Sequence, residues 1–204
     1  MYWFSLFFCT LYGEDWKKVK KVGSLLGDTE DIERRKQLSN LALEKLSRIW
    51  IRNDKVKQVT RLNLYRALVK SILLYNCGTW SLTKQEEHKL STIHRRQLRT
   101  ILNIKYPIVI GNNALYQKTS ETPISLTILE ARWRLYGHVL RQAINTPPNF
   151  AMTKYFKREG RKQRGRPKTS IVTTLRGDLK SHNNDHWPTR LHSINDLDHL
   201  RDIA

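Results

Sequence analysis

The sequence is poor in acidic residues and in cysteine. Aspartate and glutamate total 18 against 37 lysines and arginines, which gives a formal net charge of +19 at pH 7. So large an excess of one sign repels itself in a compact chain, and a bound polyanion such as nucleic acid relieves that repulsion. Cys9 and Cys77 form no CxxC pair, so neither a disulfide framework nor a cysteine zinc site is predicted. We therefore expect a nuclear or cytoplasmic protein.

Long apolar runs are also lacking. The apolar stretch Met1–Tyr12 is far shorter than the roughly 20 residues of a membrane-spanning helix. No basic segment precedes it and no small-residue cleavage site follows it, as a signal peptide requires. The basic residues are spread along the chain instead of lying on one apolar-faced helix. We expect no membrane partner and no secretion, and we interpret residues 1–15 as the truncated apolar edge of a larger protein.

Helical periodicity is the main structural signal in the chain. It marks segments 28–50, 58–74, 83–102 and 122–140, with a shorter candidate at 112–119. The first is expected to be capped by Asp28 or Thr29, and its apolar stripe is Ile32, Leu38, Leu41, Leu46 and Ile49. No segment alternates as a surface strand does. The sequence therefore predicts a mainly α fold, with a helical domain over residues 16–143.

Two helix starts carry specific capping signals. Thr83 and Glu86 have the spacing of a capping box, and Pro123 suits the first position of a helix.

The composition changes after residue 143. Asn145–Asn149 is interpreted as a linker, and Lys154–Lys168 is basic with almost no aliphatic residues. A short helix with Val172, Leu175 and Leu179 on its apolar side is expected next, and then a poorly ordered polar tail from Ser181. Residues 144–204 are thus predicted to form a linker, a flexible basic arm and a tail.

Five sequence blocks occur in an order that belongs to one family. They are KVGSLLGD at 21–28 with Asp31-Ile32 and Arg34-Arg35, LLYNCGTW at 73–80, HRRQLR at 94–99, RWRLYGHVLR at 132–141 and GRP at 165–167. In this order they resemble the C-terminal side of non-LTR (LINE-type) retrotransposon endonuclease-reverse transcriptases. The resemblance implies a thumb-like helical bundle and connector, which in the parent enzyme hold the primer–template duplex.

The catalytic centre of that family has no counterpart in this chain. A reverse transcriptase holds two metal ions with paired aspartates, usually in a Tyr-x-Asp-Asp turn, and no such turn occurs here. The acid pairs Glu30-Asp31 and Glu86-Glu87 are predicted to lie in the first turns of helices, where they stabilise the helix dipole. We expect no catalytic residue, no metal, no cofactor and no small-molecule substrate, so the chain alone is not an enzyme.

The candidate nucleic-acid-binding residues form two groups. The first lies on the third helix, where the residues would contact phosphates: Arg95, Arg96 and Arg99. The second is the basic arm: Lys154, Lys157, Arg158, Arg161, Lys162, Arg164, Arg166 and Lys168. Within the arm, Arg164–Lys168 is similar to an AT-hook, which lies in the narrow minor groove of A·T tracts, and the same run suits a nuclear-localisation signal.

Three other features are interpreted as structural. His138 has no nucleophile or carboxylate placed to partner it, and Gly137 beside it suits close helix packing. Trp80 and Trp133 fall in or beside apolar stripes and are expected in the core. His182 and His186 have the spacing of a helical zinc site but lack its glutamate, so no metal is predicted.

These observations favour a fragment that binds an RNA–DNA or DNA duplex without sequence preference. Two alternatives stay open: a non-functional relic of a decayed element, and a host-adopted protein that binds A·T tracts through Arg164–Lys168. Pairing in trans with an intact reverse transcriptase is a further open alternative.

Overall fold

Helices dominate the fold. The computed structural model describes residues 17–51, 53, 55–156 and 171–182. The helices are α1 (Asp28–Leu46), α2 (Gln58–Leu64, a π-helical stretch Tyr65–Lys70, and Ser71–Leu73), α3 (Lys84–Ile101), α4 (Asn112–Thr119), α5 (Ile124–Leu140), α6 (Pro147–Phe156) and α7 (Ile171–His182). The predicted mainly α class is confirmed. Within these residues, no helix is both long and apolar enough to cross a membrane.

A short hairpin precedes the first helix. Its strands are β1 (Lys20–Lys21) and β2 (Ser24–Leu25), which pair antiparallel with Lys20 opposite Leu25 and Lys21 opposite Ser24. The sequence did not predict it, since two-residue strands are too short to show alternation. Gly23, at the turn, has φ of +83°, a conformation that glycine adopts without strain.

The buried carboxylate of Asp31 fixes this hairpin to the helices. One of its oxygens accepts a hydrogen bond from the Leu25 amide at 2.9 Å, and the other accepts one from the Trp80 indole at 3.4 Å. The guanidinium of Arg35, itself buried, lies 3.5 Å from the same carboxylate and also donates to the Gly23 carbonyl. A single acid thus joins the hairpin, α1 and the corner after α2, which is the segment that contains the 3-10 turn Cys77–Thr79 and Trp80.

The same corner is tied to the hairpin on its outer side. The Tyr75 hydroxyl donates to the Val22 carbonyl at 3.0 Å, and the Arg35 guanidinium lies 4.3 Å from the centre of the Tyr75 ring. Such a contact between a cation and an aromatic face adds attraction when it is partly shielded from water.

The core is divided into two clusters at the two ends of the bundle and a third on α5. The first contains Leu43, Ile51, Leu62, Tyr65, Val69, Leu98, Ile101 and Leu115. The second contains Ile32, Leu73, Cys77, Trp80, Leu90, Ile124 and Ile128. The third contains Trp133, Tyr136 and Leu175, with Met152 and Ile171 packed against it, so it joins α5 to α6 and α7. The predicted core positions of Trp80 and Trp133 are confirmed.

The predicted apolar stripe of α1 is partly wrong. Leu41 and Ile49 are 54% and 66% exposed, while Leu43 and Ile51 are buried. α1 and the π-helical turn Ser47–Ile51 that follows it instead bury a line of positions that includes the polar residues Arg35, Ser39 and Ser47. Arg35 donates to the Ser24 hydroxyl, while Ser39 and Ser47 donate to backbone carbonyls one turn earlier in the chain. The buried face is therefore not the most apolar face.

Two helix starts differ from the predictions, and a third is as predicted. Gly27, not Asp28 or Thr29, is the N-cap of α1, because the Asp28 carboxylate accepts a hydrogen bond from the Ser81 amide at 2.9 Å. Pro123 is the N-cap of α5 instead of its first helical residue. The capping box of α3 between Thr83 and Glu86 is confirmed.

The expected linker at Asn145–Asn149 is in part helical, since α6 begins at Pro147. Prolines fit the first turn of a helix, where a missing amide hydrogen needs no partner. The division of the chain at residues 15 and 143 stays a prediction, although contacts of α6 and α7 with α5 cross the second boundary.

Gly78 is the point of closest approach between the corner and α5. A Cβ atom at this position would lie 2.9 Å from the Ala131 carbonyl oxygen, which belongs to helix backbone and cannot move aside. Gly137, by contrast, was expected to allow close packing of helices. A Cβ there would lie nearest to the Arg141 side chain of its own helix, at 3.0 Å, so that expectation stays a prediction.

The first prediction concerns the contact between Gly78 and the backbone of α5. Gly78→Ala should lower the free energy of unfolding by about 1–3 kcal/mol, because the added methyl overpacks against rigid backbone. Gly177→Ala is the matched control, since a Cβ there meets nothing within 4 Å and alanine favours a helix. Chemical denaturation of both variants measures the difference, and equal stability of the two would show that the corner does not pack on α5 as described.

Candidate nucleic-acid interface

The outer face of α3 carries basic and neutral polar side chains and no acid. The helix has 18 residues and is therefore about 27 Å long. Its exposed or half-exposed face comprises Lys84, Gln85, His88, Lys89, Thr92, Arg95, Arg96, Arg99 and Thr100, which 3.6-residue periodicity places on one side of the helix. We call this set the α3 basic face.

The two acids of α3 lie outside the α3 basic face. Glu86 accepts hydrogen bonds from the Thr83 amide and hydroxyl at 2.9 and 2.8 Å, and from the Thr29 hydroxyl at 2.8 Å. Burial alone would raise the pKa of Glu86, but these hydrogen bonds outweigh it and lower the pKa below its usual value. The carboxylate is thus engaged in holding the start of α3 to α1.

The three arginines predicted on this helix have different surroundings. Arg96 is exposed, and its guanidinium makes no hydrogen bond or ion pair with any residue that the structure describes. Arg95 is half-buried and donates to the Thr92 hydroxyl at 3.3 Å. Arg99 donates to the Ile110 carbonyl at 3.3 Å and to the Asn112 side-chain oxygen at 2.9 Å, so it also holds the loop that follows α3.

Sequence reasoning missed Lys84 and Lys89 on the same face. The signal was present in the sequence, because Lys89 precedes Arg96 by seven residues, which is two helical turns. The chain also has no aspartate or glutamate between Glu87 and Glu121, a segment that contains Lys89, Arg95, Arg96, Arg99, Lys105 and Lys118.

The predicted arm is only partly described. Lys154 lies on α6, is exposed, and has its Nζ atom 5.6 Å from the centre of the Phe150 ring. Its helix packs on α5, so the structure does not join it with the arginines of α3 into one described site. The other arm residues lie outside the described residues: Lys157, Arg158, Arg161, Lys162, Arg164, Arg166 and Lys168. His186 also lies outside them.

Several cations of the chain serve the interior of the fold. Glu121 is buried and accepts hydrogen bonds from Arg66 and Lys70, both at 2.6 Å. Burial raises the pKa of Glu121, but the hydrogen bonds and charges of Lys70 and Arg66 outweigh it, and the pKa is lowered. Arg132 pairs with Asp178 of α7 at 2.5 Å, but there burial outweighs the charge and hydrogen bond of Arg132, and the pKa of Asp178 is raised. These side chains hold helices together and are engaged before any ligand binds.

His94 lies on the inner side of α3 and is fully buried. Its ring lies 6.0 Å from both the Tyr65 and the Tyr116 rings, and neither ring nitrogen has a hydrogen-bond partner in the described part of the chain. Burial and the nearby charges of Lys70 and Arg95 lower its pKa to about 4, although Glu121 opposes this. The 3.9 Å separation from Glu121 is therefore not an ion pair at neutral pH.

The remaining titratable candidates show no catalytic arrangement. Burial raises the pKa of the Cys77 thiol to about 11, so it is not a ready nucleophile. His138 is exposed and its Nε2 atom lies 3.2 Å from the Gln142 amide nitrogen. Among the described residues, no three histidine, cysteine or acidic side chains are grouped as metal ligands.

Three of the five blocks quoted above meet in the structure. The hairpin and α1, the corner at 73–80 and α5 converge around Asp31 and Gly78. Comparison of the chain with family models, curated proteins and solved structures found no match. The relation to reverse transcriptases therefore stays a prediction that rests on the blocks themselves.

The second prediction concerns the buried histidine. In the unfolded chain His94 takes up a proton near its usual pKa of 6.5, and in the folded chain only near 4. Protonation thus favours unfolding, and stability that is complete above pH 6.5 should fall by about 3 kcal/mol as the pH approaches 4. His94→Phe keeps a ring between the two tyrosines but has no imidazole to protonate, so its free energy of unfolding should fall less between pH 6.5 and pH 4. Urea denaturation at several pH values measures the difference. Parallel profiles for both proteins would contradict the burial of a neutral imidazole.

Proposed function

We propose that this chain binds duplex nucleic acid, RNA–DNA or DNA, without sequence preference, and that the α3 basic face is its contact surface. The observation that carries the proposal is the absence of acids from a helix face about 27 Å long that presents Lys89, Arg95 and Arg96. A solvated helix face more commonly mixes both signs of charge, since paired charges lower self-repulsion.

The chemistry of this face suits phosphates better than base edges. Lysine and arginine side chains on a convex helix neutralise phosphates and release condensed counterions, which gives affinity that depends on salt and not on sequence. The engaged guanidinium of Arg99 leaves Lys89, Arg95 and Arg96 as the main contacts. The arm from Lys154 to Lys168 would add further phosphate contacts, because it is also rich in lysine and arginine.

The resemblance to a reverse-transcriptase thumb and connector supports the same function. In the parent enzyme, which makes DNA from RNA during target-primed retrotransposition, that region holds the duplex. We propose no enzymatic activity for this chain, because the metal-binding aspartates of the family have no counterpart in its sequence.

The third prediction tests the α3 basic face by removing charge from it. Lys89→Gln combined with Arg96→Gln should lower the slope of log affinity against log salt by about 2, since each lost phosphate contact removes about 0.9. Fluorescence anisotropy with an RNA–DNA hybrid, a mixed-sequence DNA duplex and an A·T-rich duplex, each across a salt series, measures the slope.

A matched variant controls for net charge. Lys45→Gln combined with Lys55→Gln removes the same two charges from exposed positions on α1 and the loop after it, and the slope should hardly change. Equal loss in both variants would show that overall charge, not this face, governs binding. A wild-type affinity that does not fall with salt would overturn the proposed function, and a preference for the A·T-rich duplex would favour the AT-hook alternative.

A further inference from the structure

The loop between α3 and α4 exposes apolar side chains to solvent. Tyr106, Val109 and Ile108 are 93%, 86% and 67% exposed. The two ends of the loop are anchored, because Ile104 and Ile110 pack against the first core cluster. Exposed apolar side chains that stand together on an otherwise charged surface commonly mark a contact site.

Hydrogen bonds fix this loop at the C-terminal end of the α3 basic face. The Ile104 amide donates to the Arg99 carbonyl at 2.9 Å as the chain leaves the helix, and the Ile108 amide donates to the Lys105 carbonyl at 2.9 Å. The returning chain is held by the Arg99 guanidinium at the Ile110 carbonyl and at Asn112. Arg99 is the cation in the last turn of α3, so the loop is held directly at the end of the α3 basic face.

The charge around the loop indicates what covers it. No acid occurs in the sequence between Glu87 and Glu121, and Lys105 directly precedes the exposed tyrosine. An uncharged protein partner would not be repelled by acids around the loop. A nucleic acid would be, because it combines a negatively charged backbone with the apolar faces of its bases. The cations of α3 follow the helix lengthwise, as contacts along one nucleic-acid backbone do, and do not surround the loop as contacts with a membrane plane would.

We propose that Tyr106 stacks on an unpaired base at the end of a duplex whose backbone lies on the α3 basic face. This inference rests on the proposed function. An exposed aromatic ring binds any base through its π-face, so the contact gives preference for a single-stranded end without preference for sequence. Ile108 and Val109 would flank that base and exclude water from it. With one aromatic side chain in the loop, the site holds one base.

The test compares two ligands that differ only at one end. Full-length protein is titrated with a blunt DNA duplex and with the same duplex that carries a short single-stranded overhang with 2-aminopurine at its first unpaired position. Wild type should prefer the overhang and change the 2-aminopurine fluorescence. Tyr106→Ala should bind the overhang duplex roughly 10- to 100-fold more weakly than wild type does. Its affinity for the blunt duplex and the dependence of that affinity on salt should be unchanged. Tyr106→Trp should retain it.

The outcomes separate this inference from the proposed function. One outcome is that the variant Tyr106→Ala binds both ligands with the same affinities and the same salt dependence as wild type. That result would overturn the stacking site and leave the α3 basic face intact. Loss of salt-dependent binding to every nucleic acid would overturn both. Tyr106-dependent binding to vesicles of anionic phospholipid, without any overhang preference, would assign the loop to a membrane and overturn the inference. Because Tyr106 is almost fully exposed, the variants should melt as wild type does.

Discussion

The buried carboxylate of Asp31 is the interaction on which the arrangement of the helices depends. It accepts hydrogen bonds from the Leu25 amide and the Trp80 indole and lies beside Arg35. A charge removed from water is costly unless such partners surround it, so the hairpin, α1 and the corner after α2 are obliged to meet there. The corner in turn carries Gly78, which packs on the backbone of α5. With α1 and α5 thus placed, α3 packs between them and leaves its basic face outward.

The excess of positive charge is divided between two uses. Within the fold, Arg66 and Lys70 converge on the buried carboxylate of Glu121, and the buried Arg132 pairs with Asp178, so these scarce acids each pair with cations of the chain itself. Outside, the α3 basic face itself contains no acid, although Glu86 on the adjoining side of the helix is close enough to Lys89 for the two charges to interact. That arrangement raises self-repulsion in the free protein. A bound ligand rich in phosphate would relieve it.

The sequence predicted the helices better than their buried faces. Helical periodicity and the Thr83 capping box located α2, α3 and α5, and the tryptophans were rightly placed in the core. The inner side of α1 was missed because its serines donate to nearby backbone carbonyls and Arg35 donates to the hairpin, and hydropathy alone cannot show that. The sequence also could not separate an interior Arg132 from an exposed Arg96, since the burial of Arg132 depends on its pairing with Asp178, 46 residues along the chain. The loop at Tyr106 gave no periodic signal at all.

The most direct test of the α3 basic face as the binding surface is a map of the residues that an RNA–DNA duplex contacts. Amide chemical shifts of the full-length protein, recorded by NMR during titration with the duplex, give that map residue by residue. We expect the largest changes along the α3 basic face from His88 to Thr100, while the buried positions around Asp31 change little. Changes confined to the arm beyond Lys154, with α3 unaltered, would contradict the assignment of the contact surface to α3.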